Sequence, residues 1–227
     1  MLNPTKGNMY SFVTHTWNTA KGRCHHNCHY CYMKRWGKQK PVRFDEKELK
    51  TDLGEGNFIF VGSSCDMWAN AIPEEWILKT IDHIDKYPYN KYLFQSKNPK
   101  RMFKERWMFR PTPNYIFGTT IETNRFYPQM GKAPEPFNRA LNIAHMSNKY
   151  FRTMVTIEPI MDFDLKDLIF LVTMCNPEWV NIGANTNHKV KLCEPEPEKL
   201  QELIFELKKI TKVKIKKNLN RLRNSVK

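Results

Sequence analysis

The sequence predicts a single-domain α/β protein built as a partial (βα)6 TIM-type barrel around a parallel sheet. Short β-rich runs alternate with amphipathic stretches over nearly the whole chain, the pattern of repeated βα units. Four prolines, Pro73, Pro99, Pro134 and Pro197, stand where helices would begin, the position that tolerates a missing N–H. A full eight-unit barrel typically takes about 250 residues. This chain has 227 and no composition break at which to divide it.

Taken in order, strands are expected over 9–17, 58–62, 92–95, 115–121, 153–157 and 179–182, where β-branched and aromatic residues concentrate. Helices are expected over 45–53, 73–86, 99–109, 134–148, 165–175 and 197–210. Right-handed crossovers between such units give a parallel sheet whose ligands bind beyond the carboxyl ends of the strands. Those ends are polar. They read Gly62-Ser63-Ser64-Cys65-Asp66, then Ser96-Lys97-Asn98, Glu122-Thr123-Asn124, Glu158-Pro159 and Gly183-Ala184-Asn185. Three of the nine glycines, Gly62, Gly118 and Gly183, lie in or just after strands, where a ligand can approach the backbone closely.

The formal net charge is +14, and nine of the 37 basic residues fall between Lys208 and Lys227 with no acid among them. The expected organisation is therefore a barrel over 1–211 followed by a basic tail over 212–227, the tail being either a lysine-solubilised edge strand or helix end, or an arm that contacts nucleic-acid phosphates. No apolar run reaches the roughly 18 residues of a membrane span, and no signal peptide opens the chain, so a soluble cytoplasmic protein is expected. Nothing in the sequence sets an oligomeric state. No P-loop, dinucleotide-binding glycine fingerprint or nucleophile elbow is present.

Three of six cysteines crowd into Cys24-His25-His26-Asn27-Cys28-His29-Tyr30-Cys31. In a reducing compartment such crowding reads as a metal site. One short loop with this spacing can wrap an iron–sulfur cubane and ligate three of its irons, leaving the fourth open to an outside ligand. The rival is a zinc-stabilised module, with His25, His26 or His29 as fourth ligand. Zinc knuckles usually split their ligands into two pairs, and Cys65, Cys175 and Cys193 stand alone.

Cys-x3-Cys-x2-Cys, with an aromatic residue before the last cysteine, resembles the signature of the radical SAM superfamily. The order FVGSSCDMWANAIPEEWI, YLFQSKNPKRM, YIFGTTIETN, FRTMVTIEPIMDF and WVNIGANT, over about residues 11–187, is similar to an uncharacterised phage-associated branch distantly related to spore photoproduct lyase. The resemblance implies a [4Fe–4S] cluster on Cys24, Cys28 and Cys31 and S-adenosylmethionine (SAM) on the open iron. It also implies an external electron donor of the flavodoxin or ferredoxin type and a 5′-deoxyadenosyl radical as the reactive species.

By the same resemblance, Gly62, Ser63 and Ser64 match the segment that meets the methionine end of SAM. Gly-Ser-Ser stands where many members have Gly-Gly-Glu, so backbone groups would carry the contact. Tyr30 matches the position bordering the adenine, and Glu122 and Asn124 the positions holding the ribose hydroxyls; Glu158 lies at the same mouth. Each has a structural alternative: Tyr30 as core, Glu122 and Glu158 paired with Lys97 or Arg152, Asn124 as a turn residue. Lys97 either neutralises an anion at the mouth or is a solvated loop lysine. Cys65 is either a hydrogen donor to a substrate radical or a small core residue. The substrate classes left open are a nucleic acid or nucleotide, favoured by the basic tail, and a small molecule or peptide; a non-enzymatic metal-stabilised module stands apart from both.

Overall fold

Strands covered on both faces read as continuous apolar runs, and Phe58–Val61 and Tyr115–Thr120 do so because they sit at the centre of a sheet. The computed structural model describes residues 1–147 and 151–223. Its strands are β1 (Asn3–Pro4), β2 (His15–Trp17), β3 (Ala20–Lys21), β4 (Arg43–Phe44), β5 (Phe58–Val61), β6 (Lys91–Ser96), β7 (Tyr115–Thr120), β8 (Arg152–Ile157), β9 (Trp179–Ile182) and β10 (Lys212–Ile215). Eight form one sheet in the order β1-β2-β5-β6-β7-β8-β9-β10, parallel from β2 to β10, with β1 antiparallel at one edge. The sheet stays open, so the architecture is the expected partial barrel without closure. The helices are α1 (Glu74–Ile84), α2 (Pro99–Lys104), α3 (Pro136–Ser147), α4 (Leu165–Cys175), α5 (Pro197–Ile210) and α6 (Asn220–Arg223).

Side chains alternate across the sheet, as its period of two requires. Ile59, Val61, Tyr92, Phe94 and Phe117 pack beneath α1 and α2, and Val155, Val180 and Ile182 beneath the helices that follow. Phe60, Leu93, Ile116, Met154 and Trp179 point to the other face. Among the described residues no helix covers that inner face. The chain before β2 does so instead: Tyr10 and Val13 are buried in the same cluster, and Phe12 meets the Trp179 ring edge-on at 5.2 Å. This corrects the strand expected over 9–17, of which only His15–Trp17 joins the sheet; residues 10–13 plug the inner face.

Three further expectations change. The helix over 45–53 is one 3-10 turn, Glu46–Lys50, because Lys21 grips both Asp45 (2.8 Å) and Glu48 (2.6 Å) and ties the segment to the β3–β4 pair. The helix over 99–109 breaks at Glu105 into α2 and a 3-10 turn, Arg106–Met108. There Arg101 binds Glu105 and also reaches the carbonyls of Ala69 and Ile72. Asn148, the last residue of the helix expected over 134–148, lies outside the described residues, as do residues 224–227 of the basic tail.

The boundary expected before Lys212 does not separate a tail from the sheet. Lys-Val-Lys-Ile is an alternating edge-strand pattern, and β10 pairs in parallel with β9 over all four residues. Lys214 lies over the Phe12 and Trp179 rings at 4.2 and 4.5 Å, and Leu219 and Leu222 enter the core beside α5. Burying a leucine contributes on the order of 2 kcal/mol. Truncation after Thr211 should therefore lower the urea midpoint by the equivalent of several kcal/mol. Lys212→Gln with Lys217→Gln, which changes charge alone at two exposed positions, should shift stability by less than about 0.5 kcal/mol. Equal midpoints for the truncated and intact chains would return residues 212–223 to the status of a solvated tail.

Candidate functional site

The carboxyl ends of β5, β6, β7 and β8 open into one cavity of about 440 Å³, within the range of small-molecule sites. The cysteine loop forms one wall. Its base is pinched by β3 and β4, where Gly22 has φ +115° and an added Cβ would meet the Pro41 carbonyl at 2.5 Å. Its tip is held by the segment after β7: His29 N–H donates to Gln129 O (2.8 Å) and Lys132 N–H to His26 O (2.7 Å). Gly131, at φ +67°, lies so close that a Cβ would sit 2.3 Å from the His26 carbonyl. These backbone contacts help bring Cys24, Cys28 and Cys31 to the cavity.

All three thiols are free, with Cys28 buried and the other two half-buried. Interaction with the Cys65 thiol lowers the Cys24 thiol to about 6, and the same interaction with Cys24 pushes Cys65 up. Cys65 thus lines the cavity but engages Cys24. Burial raises Cys31. His26 Nε2 meets Asp66 at 2.8 Å; burial alone would lower His26, and the Asp66 charge outweighs it. Asp66 also accepts from Ser96 Oγ and from the backbone N–H groups of Lys97 and Trp68.

Beneath this wall lies an ion network centred on a fully buried carboxylate. Glu122, with no exposed surface, accepts from Tyr30 Oη and Lys97 Nζ (2.6 Å) on one oxygen and from Arg139 Nη1 (2.7 Å) on the other. Burial would raise its carboxyl, but Arg139 and Lys97 hold it down to about 2. Lys97 Nζ also reaches Tyr30 Oη at 2.7 Å, lies 4.4 Å from the Tyr30 ring centre and stands 3.6 Å from Cys28 Sγ. Burial would lower Lys97; Cys28 and Glu122 outweigh it and hold the ammonium well above its usual value. Burial and then Glu122 push Tyr30 up.

Of the residues singled out in the sequence, Cys24, Cys28, Cys31, Tyr30, Gly62, Ser63, Ser64, Cys65, Lys97 and Glu158 line the cavity. Glu122 does not. Both its oxygens are taken by cations, so it holds Lys97 and Arg139 rather than ribose hydroxyls. Asn124 is also outside the cavity wall: its side chain accepts from Asp164 N–H (2.8 Å) at the start of α4. At the second strand end, Gly62 has φ +76°, but Asn18 Oδ1 already accepts from Ser64 N–H (2.8 Å), so that donor is engaged. Glu158 accepts from Asn8 (2.9 Å), Lys216 (2.6 Å) and Asn218 (3.1 Å), in space left by Gly183, whose Cβ would strike it.

Sequence reading missed Arg139, Asn18 and Lys216. Arg139 had a signal: it sits among Pro136, Ala140, Ile143 and Met146 on the apolar stripe of α3, where an unpaired charge would be costly.

The donor chemistry fits a cluster better than a single ion. Among the described residues, no three His, Cys, Asp or Glu side chains converge where one ion could be held. Three thiols distributed along a loop, each able to take a different iron, suit a cubane, whereas tetrahedral zinc needs four donors at one point. Of the three loop histidines, His26 is committed to Asp66, and His25 and His29 are exposed.

No protein-family model matches the chain, and no curated protein matches it. Its fold is similar to solved structures of spore photoproduct lyase. A mutant of that enzyme with bound AdoMet and dinucleoside spore photoproduct has a TM-score of 0.56 and 12% identity, over 90% of this chain and 64% of that one. Another mutant has a TM-score of 0.61 and 10% identity, over 92% and 78%. The chain thus spans 64% of the length of the first of these, and at such identities the likeness is one of fold.

Removing one partner of a buried pair leaves an uncompensated charge and costs about 3–5 kcal/mol. Arg139→Met should therefore destabilise by about that amount, and adding Glu122→Gln should recover part of it. Glu122 is depressed in the folded state, so its contribution is full above the unfolded carboxyl value near 4.5 and is lost as pH falls toward 2. Urea midpoints across that window should fall less in Glu122→Gln than in the native chain. Parallel pH profiles would mean that Glu122 is not a depressed, ion-paired carboxylate.

Proposed function

We propose that the chain is a radical SAM enzyme that acts on a nucleic acid or nucleotide. The observation that carries the reading is the placing of Cys24, Cys28 and Cys31 on one wall of the cavity at the strand ends, with the Lys97 ammonium beside Cys28. Support comes from the fold shared with spore photoproduct lyase, one structure of which holds AdoMet. Cys24, Cys28 and Cys31 would hold a [4Fe–4S] cluster, and Gly62, Ser63 and Tyr30 would border SAM. With both bound, the chemistry supplied is reductive cleavage of the SAM sulfonium to a 5′-deoxyadenosyl radical, which takes a hydrogen atom from the substrate. The electron would come from an external flavodoxin or ferredoxin.

The chain's own residues do the rest. Lys97 sets a positive charge against the sulfur wall, held there by the Glu122 carboxylate. Cys65 positions Cys24 through its thiol. Met9, Tyr10 and Phe60 supply apolar lining that shields the cavity from water. Glu158, with Asn8 and Lys216 bonded to it, forms a polar part of the cavity wall where the N-terminal plug meets the C-terminal segment.

Anaerobically reconstituted protein should be brown and carry about four irons, release 5′-deoxyadenosine from SAM under reduction, and lose most of its iron when Cys24, Cys28 or Cys31 becomes Ala. One equivalent of zinc with no iron after reconstitution would favour the metal-stabilised module instead. Turnover stimulated by small molecules or peptides but by no nucleic acid or nucleotide would overturn the substrate class.

A further inference from the structure

From Lys21 to Phe44 the chain carries seven Lys or Arg and no Asp or Glu. Among the described residues, only Lys21 of these seven forms an ion pair. Arg23, Lys34 and Arg35 are exposed at the cavity mouth and line it, and Lys38, Lys40 and Arg43 continue the same exposed loop. Trp36, between Arg35 and Gly37, also lines the mouth and is 76% exposed. Lys34 and Arg35 donate to the carbonyls of Asn27 (3.2 Å) and Thr186 (3.3 Å) but meet no carboxylate among the described residues. An indole left in water beside such cations is unusual, since Trp is normally highly buried. In the C-terminal segment Lys214 lies over aromatic rings and Lys216 and Arg221 are paired with Glu158 and Glu194, and the exposed Lys212, Lys217 and Arg223 have no aromatic residue exposed beside them in the chain as Trp36 is.

We infer that the cysteine loop is a grip for single-stranded nucleic acid, in which Arg23, Lys34 and Arg35 contact backbone phosphates and Trp36 stacks an unpaired base beside the cavity. The inference rests on the proposed nucleic-acid substrate and moves its binding surface from the C-terminal segment to the loop. Phosphates supply the charge complement the loop lacks, and stacking on Trp36 requires a base free of its partner strand. A cavity of about 440 Å³ does not admit a duplex, so a polymer must present a single unit at its mouth. An acidic protein would satisfy the cations but gives no reason for an exposed indole at the mouth of the cavity.

The test is fluorescence anisotropy of labelled oligothymidylate, oligouridylate and a duplex of equal length with the full chain, both as isolated and after iron loading, without SAM or reductant. Single strands should bind more tightly than the duplex, and the DNA and RNA arms decide which polymer is preferred. Trp36→Ala should weaken binding about tenfold, with Trp36→Phe restoring part of it. The triple change Arg23→Gln, Lys34→Gln and Arg35→Gln should flatten the slope of log affinity against log salt by about 2, whereas Lys212→Gln with Lys217→Gln should leave it unaltered. Far-UV circular dichroism and iron content are read on the same variants. Unchanged binding by Trp36→Ala, duplex preference, or equal competition by polyglutamate would overturn the inference, the last assigning the loop to an acidic protein. Because iron is measured separately, a chain that binds single strands but takes up no iron on reconstitution sinks the cluster reading alone, and an iron-loaded chain that does not bind sinks this one alone.

Discussion

The burial of Glu122 is the constraint on which the site depends. A carboxylate with no exposed surface is tolerable only if cations meet it, and here two do, from opposite sides: Arg139 out of α3 and Lys97 from the end of β6. The same carboxylate accepts from Tyr30, the residue before the last cysteine of the loop. One charge thereby ties a helix, two strand ends and the cysteine loop together. The position of Lys97 against Cys28 is a consequence: an ammonium held 2.6 Å from Glu122 has little freedom to leave the sulfur wall.

Above that network, main-chain approaches shape the loop beside the side-chain bonds of Tyr30 and His26. Gly22 and Gly131 permit approaches of the main chain that no other residue would allow, one at the base of the loop and one at its tip. Three thiols are presented on one wall because the loop is pinned at both ends before any metal is considered. This is the preorganisation a cofactor site needs, with the supporting contacts set outside the ligands themselves. It also leaves the cations on the outward surface of the loop without carboxylate partners among the described residues: Lys34 and Arg35 donate only to the carbonyls of Asn27 (3.2 Å) and Thr186 (3.3 Å).

The two chain ends meet at Glu158. Asn8 comes from the segment that plugs the inner face of the sheet, and Lys216 and Asn218 follow the last strand. Covering an open sheet with irregular chain places polar backbone and side chains near the cavity, and Glu158 collects them in hydrogen bonds that satisfy their burial. The last strand therefore contributes to the cavity as well as to stability: Lys214 lies over the Phe12 and Trp179 rings, and Lys216 just beyond the strand pairs with Glu158.

How much was legible in the sequence depends on the range of the interaction that decides each feature. The strands 58–62, 92–95, 115–121, 153–157 and 179–182 and the helices that begin near Pro73, Pro134 and Pro197 were readable, because periodicity and proline preference act within a few residues. The cysteine spacing was readable for the same reason. Helices 45–53 and 99–109 were overread because Lys21 and Arg101 draw local chain into contacts set by distant partners, which outweigh a weak helical preference. The strand at 9–17 was overread because an apolar alternating run suits a sheet edge and an inner-face plug equally well. Glu122 shows the division most clearly. Its place after a strand was set by sequence, and so was its neighbourhood in the mouth of the fold. Whether it would face a ligand or lie beneath the cavity was decided only when α3 packed Arg139 against it, because the preference of a charge for one side of a wall depends on the opposite charge that tertiary structure brings there.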